Sequence, residues 1–148
     1  MADALWFTTA RLTVHLSQKD NADGLTLIEH YMAKGFAVPL HVHRDEDESF
    51  YILQGEVLMQ INGRVRRLTP GDALTVLGGT PHSFRVVSPE ARFLTMTTGQ
   101  FEEMIRCLAR PAENEGLPPQ AEPTDEEVAA LVTACAAHGI EFQGPAVA

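Results

Sequence analysis

Gly35-Phe36-Ala37-Val38-Pro39-Leu40-His41-Val42-His43-Arg44-Asp45-Glu46-Asp47-Glu48, followed by Ser49 to Gln54 and Gly55, is the stretch that decides how this chain is read. His41 and His43 are two residues apart, so on a strand both imidazoles leave the same face, roughly 6–7 Å apart along it. A second stretch, Gly71-Asp72 through Gly79-Thr80-Pro81-His82, supplies a third histidine. Parity picks Glu48 out of the acidic run Asp45-Glu46-Asp47, which by itself reads as a solvated turn. With Phe50 and Ile52, Glu48 shares one face of a strand, and a carboxylate there needs a buried partner. Three nitrogens and one oxygen make a mixed donor set. Imidazole suits Fe, Ni, Zn, Cu and Co, and the carboxylate adds harder ions such as Mn, so the expectation is one divalent metal ion of open identity.

Around these stretches the texture is β. Leu12, Val14 and Leu16 alternate with polar residues, and Ser17 to Gly24 is a turn cluster. Leu25 to Met32 reads as the next strand, and Ser49 to Leu53 leads through Gly55 into Glu56 to Ile61. Asn62-Gly63 is a strong two-residue hairpin signal, with Arg64 to Leu68 returning. Ala73 to Leu77, Ser83 to Val87 and Arg92 to Thr97 complete eight or more short strands, which favours an all-β sandwich or barrel.

The spacing resembles that of the cupin superfamily. Its first motif, G-x5-H-x-H-x4-E-x6-G, fits Gly35, His41, His43, Glu48 and Gly55. The second, G-x5-P-x-G-x2-H-x3-N, fits Gly71, Gly79 and His82, with Leu77 and Val86 in place of the proline and asparagine. The resemblance implies a single conical jelly-roll β-barrel over residues 1–100, with His41, His43, Glu48 and His82 on one ion inside it. A site inside a barrel requires Leu40 and Val42, which point the opposite way, to be covered by a second layer. His15, His30 and His138 fall outside the template and read as surface or satisfied core residues.

Residues 101–148 form a short, acidic helical extension. Phe101 to Arg110 reads as a helix stopped by Pro111, and residues 111–123 as an exposed connector. Thr124 to Glu127 is a capping box, and Val128, Leu131, Val132 and Cys135 make an apolar stripe ending at Gly139. That stripe must pack on the barrel or on a partner subunit, and a homodimer is the expectation. Net charge is −9, and the tail carries nine acidic against two basic side chains. With no basic field, nucleic-acid binding is not expected. No leader and no run long enough to cross a membrane is present, so a cytoplasmic location away from membranes is the default expectation. Cys107 and Cys135 are expected to be free thiols.

Fold alone does not give activity. The line HVHRDEDESFYILQGE and the acidic tail resemble small bacterial quercetin-dioxygenase-like cupins. That resemblance implies a metal-dependent dioxygenase acting on an aromatic or enolisable hydroxyl small-molecule substrate, with Glu48 as ligand or catalytic base. Phe36, Phe50, Met59 and Phe84 are the candidates for lining an apolar barrel mouth. A metal-dependent isomerase or cyclase is the alternative within catalysis, and a non-catalytic small-molecule-binding or sensor module is the alternative outside it.

Overall fold

Alternating burial along the strands builds two antiparallel sheets that face each other across one apolar core in the computed structural model, which describes residues 3–148. The larger sheet takes β1 (Asp3–Phe7), β2 (Ala10–Leu16), β3 (Thr26–Ala33), β5 (Glu48–Gln54), β8 (Ala73–Val76), β10 (Glu90–Thr97) and the two-residue β11 (Arg110–Pro111), in the order β11-β1-β2-β3-β10-β5-β8. The smaller takes β4 (Ala37–His43), β6 (Val57–Ile61), β7 (Arg64–Leu68), β9 (His82–Val86) and β12 (Ile140–Gly144), in the order β12-β4-β9-β6-β7. This is the jelly-roll architecture expected from the sequence, with α1 (Phe101–Leu108) and α2 (Asp125–Ala137) following the barrel strands.

Period-two burial is clean on β3, where Thr26, Ile28, His30 and Met32 are buried and the residues between them are half-exposed. The same period on β5 turns Glu48, Phe50 and Ile52 inward, as side chains that alternate across a pleat must. The hairpin at Asn62-Gly63 has both residues at positive φ, 52° and 82°, and Ile61 pairs with Arg64 across it. Of the motif glycines, Gly55 is the most constrained. Its φ is +82°, and a Cβ there would stand 2.1 Å from the Glu90 carbonyl oxygen. A side chain at that position would break the junction between β5 and β6.

The C-terminal third is knit into both sheets. β11 pairs with β1, and β12 pairs with β4, placing Ile140 opposite His43 and Phe142 opposite His41. Neither β1 nor these two strands carries an alternation long enough to stand out in the sequence. The helix expected to run to Arg110 ends at Leu108, because Arg110 and Pro111 are drawn into pairing with β1. The connector is mostly exposed but tied down. The Trp6 indole N–H donates to the Gly116 carbonyl at 3.1 Å, and the Gln120 amide donates to the Thr9 carbonyl at 2.9 Å. The capping box of α2 forms both of its bonds, between Thr124 and Glu127. Cys135 enters the core, and burial pushes its thiol up to about 11. Val128 and Val132 remain 44% and 46% exposed. Among the described residues, no helix is long and apolar enough to cross a membrane.

One buried carboxylate holds α1 to the barrel. Glu102, 1% exposed, accepts from the Ser17 and Thr26 hydroxyls at 2.7 Å each, and from the Gln18 N–H and Arg106 Nε at 2.9 Å. Burial acts to raise its pKa. The four donors outweigh burial and bring it down to about 2 from an ordinary 4.5. A carboxylate depressed in this way stabilises the fold above its unfolded value, and the gain is lost as pH falls towards the folded value. Glu102→Gln should therefore destabilise the fold at neutral pH by about 1–3 kcal/mol, the cost of leaving buried donors without their partner. The difference from wild type should shrink between pH 4.5 and 2. Urea melts at pH 7 and pH 3 check this, and a gap that does not narrow in acid would refute it.

Candidate metal centre

The register of the smaller sheet and the parity of β5 bring four side chains together. His41 and His43 enter from β4, His82 lies directly opposite His41 on β9, and Glu48 faces them from the start of β5. One ligand atom from each of the four lies within 4.8 Å of the others. All four residues are buried, from 1% exposure at His82 to 6% at His41. On the far side of β4, Val42 is 6% exposed and Leu40 is half-buried, and β12 pairs along the edge of the strand in the same sheet.

Hydrogen bonds on the outer ring nitrogens fix how the imidazoles present themselves. His41 Nδ1 lies 2.8 Å from the Pro39 carbonyl oxygen, and His82 Nδ1 lies 2.9 Å from that of Thr80. A carbonyl only accepts, so each Nδ1 carries the proton and donates. His43 Nδ1 donates likewise to the Glu46 carboxylate at 3.0 Å. In the neutral rings, every Nε2 lone pair is then turned inward, towards the others and towards Glu48. The Glu48 carboxylate stands 3.2 Å from His82 Nε2 and 3.5 Å from His43 Nε2. Inward-facing lone pairs and a carboxylate repel one another unless something positive lies between them. The donor set therefore fits a divalent cation, which three imidazoles and one carboxylate could hold.

Burial and the neighbouring charges act differently on the members of the cluster. Burial, then the neighbouring His82 and His43, push His41 down to about 3, so it stays neutral and able to donate a lone pair. Burial acts against charge on His43, but Glu48 and Glu46 outweigh it and raise its pKa. Burial also opposes ionisation of Glu48, yet the three histidines, His43 foremost, bring it down to about 2.

Glu46 is the residue that sequence reasoning passed over. The run Asp45-Glu46-Asp47 reads as a solvated turn, but Glu46 is 7% exposed and bridges His43 to the Gly99 N–H, which donates to it at 3.0 Å. Asp47 accepts from the Gly78 N–H at 2.8 Å. A Cβ on Gly99 would stand 2.8 Å from the Glu46 side chain, so that glycine is what lets the carboxylate fit. No periodicity in the sequence marks a contact made by backbone approach.

His41, His43 and Glu48 line a cavity of about 820 Å³, and His82 stands beside them just outside its lining. Phe36, Phe50 and Phe84 line it, whereas Met59, 1% exposed, packs in the core and lies outside the lining. Phe93, Phe101 and Met104 complete the apolar wall. Residues 119–123 of the connector, with Val128 and Leu131 of α2, border the cavity, so the C-terminal extension forms part of its wall. His30 also lines it, and it departs from the reading as a satisfied core residue. Its Nε2 lies 2.8 Å from the Thr95 hydroxyl, but its Nδ1 is buried with no partner. An unpaired buried polar atom costs about 1–3 kcal/mol. His138 is on the other side of the molecule's chemistry, next to Cys107 and bonded to the Ala134 carbonyl.

Residues 27–97 match the family model described as a cupin domain. Quercetin 2,3-dioxygenase of Bacillus subtilis (strain 168) is 30% identical over 110 residues, which cover 74% of this chain and 33% of that protein. The chain thus spans about a third of the length of the curated relative it matches. Among solved structures, KdgF from Halomonas sp. aligns with a TM-score of 0.58 at 22% identity, over 65% of this chain and 85% of the other. That likeness is one of fold. A predicted oxalate decarboxylase from Thermotoga maritima aligns with a TM-score of 0.57 at 25% identity, over 60% of this chain and 79% of the other.

His41→Ala, His43→Ala and His82→Ala should each lose most bound metal on elemental analysis, while His30→Ala and His138→Ala keep it. Glu46→Ala should retain the four ligands yet bind metal about 10–100-fold more weakly in a chelator competition, because His43 loses the partner that orients it. Full occupancy in a His41→Ala/His43→Ala double variant would defeat the assignment.

Proposed function

We propose that this chain, whose residues 27–97 match a cupin domain, is a metal-dependent dioxygenase acting on an aromatic or enolisable hydroxyl compound. The observation that carries the proposal is the position of the three-histidine, one-glutamate cluster, buried on the wall of an apolar cavity sized for a small molecule. Ligand cavities of about 300–1,000 Å³, mostly apolar with a few convergent polar groups, are the usual form of small-molecule sites. The dioxygenase relative, at 30% identity, favours oxygen chemistry over the isomerase and sensor readings.

A divalent ion bound here would supply Lewis-acid polarisation of a substrate oxygen and a point of access for dioxygen. The chain's own residues do the rest. His41, His43 and His82 hold their Nε2 atoms in place through the Nδ1 bonds already described. Glu48, with its carboxylate ionised, can accept the proton of a substrate hydroxyl at its free oxygen. Phe36, Phe50, Phe84 and Phe93 present an apolar surface against which a planar ring can lie, and they keep bulk water away from the reacting atoms. The half-exposed Val128 and Val132 on α2 support the further proposal of a homodimer.

Metal-loaded protein should consume oxygen when mixed with a flavonol, and Glu48→Gln should reduce that rate by about 10²–10⁴-fold, the usual scale of a lost general base. Turnover of the same compound under anaerobic conditions would favour an isomerase or cyclase, and binding without turnover a sensor. Free metal at a hundredfold excess over its dissociation constant should add about 2.7 kcal/mol of stability, or about 5–10 °C in the melting midpoint, relative to chelator-treated protein. A single 16 kDa species in light scattering at micromolar concentration would overturn the dimer.

A further inference from the structure

His30 Nδ1 is the single fully buried side-chain polar atom without a hydrogen-bond partner among the described residues, and its residue lines the cavity. The ring cannot easily turn to find a partner. It stacks on Phe93 with centroids 4.7 Å apart and an interplanar angle of 11°, and lies near-parallel to Phe101 at 6.2 Å. Its Nε2 is held by the Thr95 hydroxyl, itself 1% exposed. Phe101 stands 5.6 Å from the ring of His43 as well as 6.2 Å from that of His30. One aromatic side chain thus stands between the ring of His43 and that of His30, a span that one planar polycyclic molecule can match.

We propose that His30 Nδ1 is the second anchoring point of the substrate, hydrogen-bonding an outer hydroxyl group of a ligand whose other end binds at the His41, His43, Glu48 and His82 cluster. This rests on the functional reading above and narrows its substrate class to planar compounds that carry a hydroxyl remote from the metal-binding oxygens. A hydroxyl fits because it both donates and accepts. If the Thr95 hydroxyl donates to Nε2, Nδ1 carries the proton and donates to the ligand; if Nε2 donates to Thr95, Nδ1 accepts. Burial brings the His30 pKa down to about 4, against the opposing pull of Glu48 and Glu29, so the ring is neutral at physiological pH. A neutral imidazole recognises a neutral hydroxyl without demanding a buried counter-charge. Phe93 and Phe101 fix the direction of Nδ1, and the ligand supplies the partner that folding leaves out.

The test compares wild type with a His30→Phe/Thr95→Val double variant, both metal-loaded. Replacing both partners of the His30–Thr95 bond avoids stranding the threonine hydroxyl. The probes are quercetin and the unsubstituted parent flavonol, which keeps the chelating head and lacks the outer hydroxyls. Calorimetry should show wild type preferring quercetin by about tenfold, the size of one buried hydrogen bond. The double variant should lose that preference while keeping its metal content and its affinity for the parent flavonol. Its melting temperature should equal or exceed that of the wild type, because an unpaired polar atom has been removed from the interior. A retained preference for quercetin in the variant would overturn the proposal. If metal-loaded wild type binds neither flavonol, the dioxygenase reading of the substrate fails, and the melting arm then decides His30 by itself. A double variant that melts several degrees below wild type would mark the ring as ordinary core and overturn the assignment, whereas undiminished stability would keep it as a ligand-facing group.

Discussion

Three inward-turned imidazole lone pairs and one buried carboxylate, held within 4.8 Å of one another, are the constraint that the rest of this structure serves. Such a cluster is unfavourable by itself, because it desolvates a charge and crowds like poles. It persists because each outer nitrogen is tied to something rigid. Two are tied to carbonyls of the chain two residues earlier, at Pro39 and Thr80, and the third to Glu46. The repeated two-residue offset makes the ring orientation of His41 and His82 a consequence of local backbone geometry. His43 is tied to Glu46, three residues on, and Glu46 is fixed in turn by the Gly99 N–H just after β10, 53 residues away. Orientation at this third ligand therefore depends on tertiary packing, which makes it the most sensitive of the three to change elsewhere.

What could be read from the sequence follows from that difference between local and long-range causes. His41, His43 and Glu48 were legible because strand parity is a local rule, and His82 because Gly71, Gly79 and His82 resemble the second cupin motif. The Asn62-Gly63 hairpin and the Thr124 capping box were legible for the same reason, since each is satisfied within four residues. Glu46, Glu102 and His30 were not. Glu46 and Glu102 sit in an acidic part of the chain, and each needs, besides a near neighbour, partners 53 to 85 residues away to be satisfied. His30 occupies an inward position of a well-patterned strand, where a histidine is ordinarily satisfied. That its Nδ1 lacks a partner is a property of the assembled cavity, and nothing in residues 26–33 records it.

The C-terminal segment was legible as helices but not in its relation to the site. β12 lies along β4, and the Phe142 ring is 6.2 Å from that of His41. The strand pairing covers the edge of β4 that would otherwise expose the backbone of the two histidine ligands to water or to another chain. The connector reaches the cavity border because Trp6, Thr9 and β1 hold it there, and α2 continues that border with Val128 and Leu131. The border of the cavity can thus be altered from residues 119–131 without touching the four clustered residues.

The departures from a well-satisfied interior are concentrated in one place. His30 with an unpaired nitrogen, His41 held neutral by burial, and Glu48 kept ionised in an apolar wall all face the same cavity, whereas Glu102, equally buried, has four donors. A fold under selection for stability alone would satisfy His30 or replace it, as it does Glu102. Local rules that hold throughout a structure and fail together at one cavity locate function there. Packed phenylalanines surround it. Phe50, Phe84 and Phe93 form mutual edge and tilted contacts with centroids 5.4–6.4 Å apart, and each also lines the cavity. The side chains that hold the barrel together are therefore the ones that a ligand would touch, and substitutions that reshape the cavity must be expected to alter stability as well.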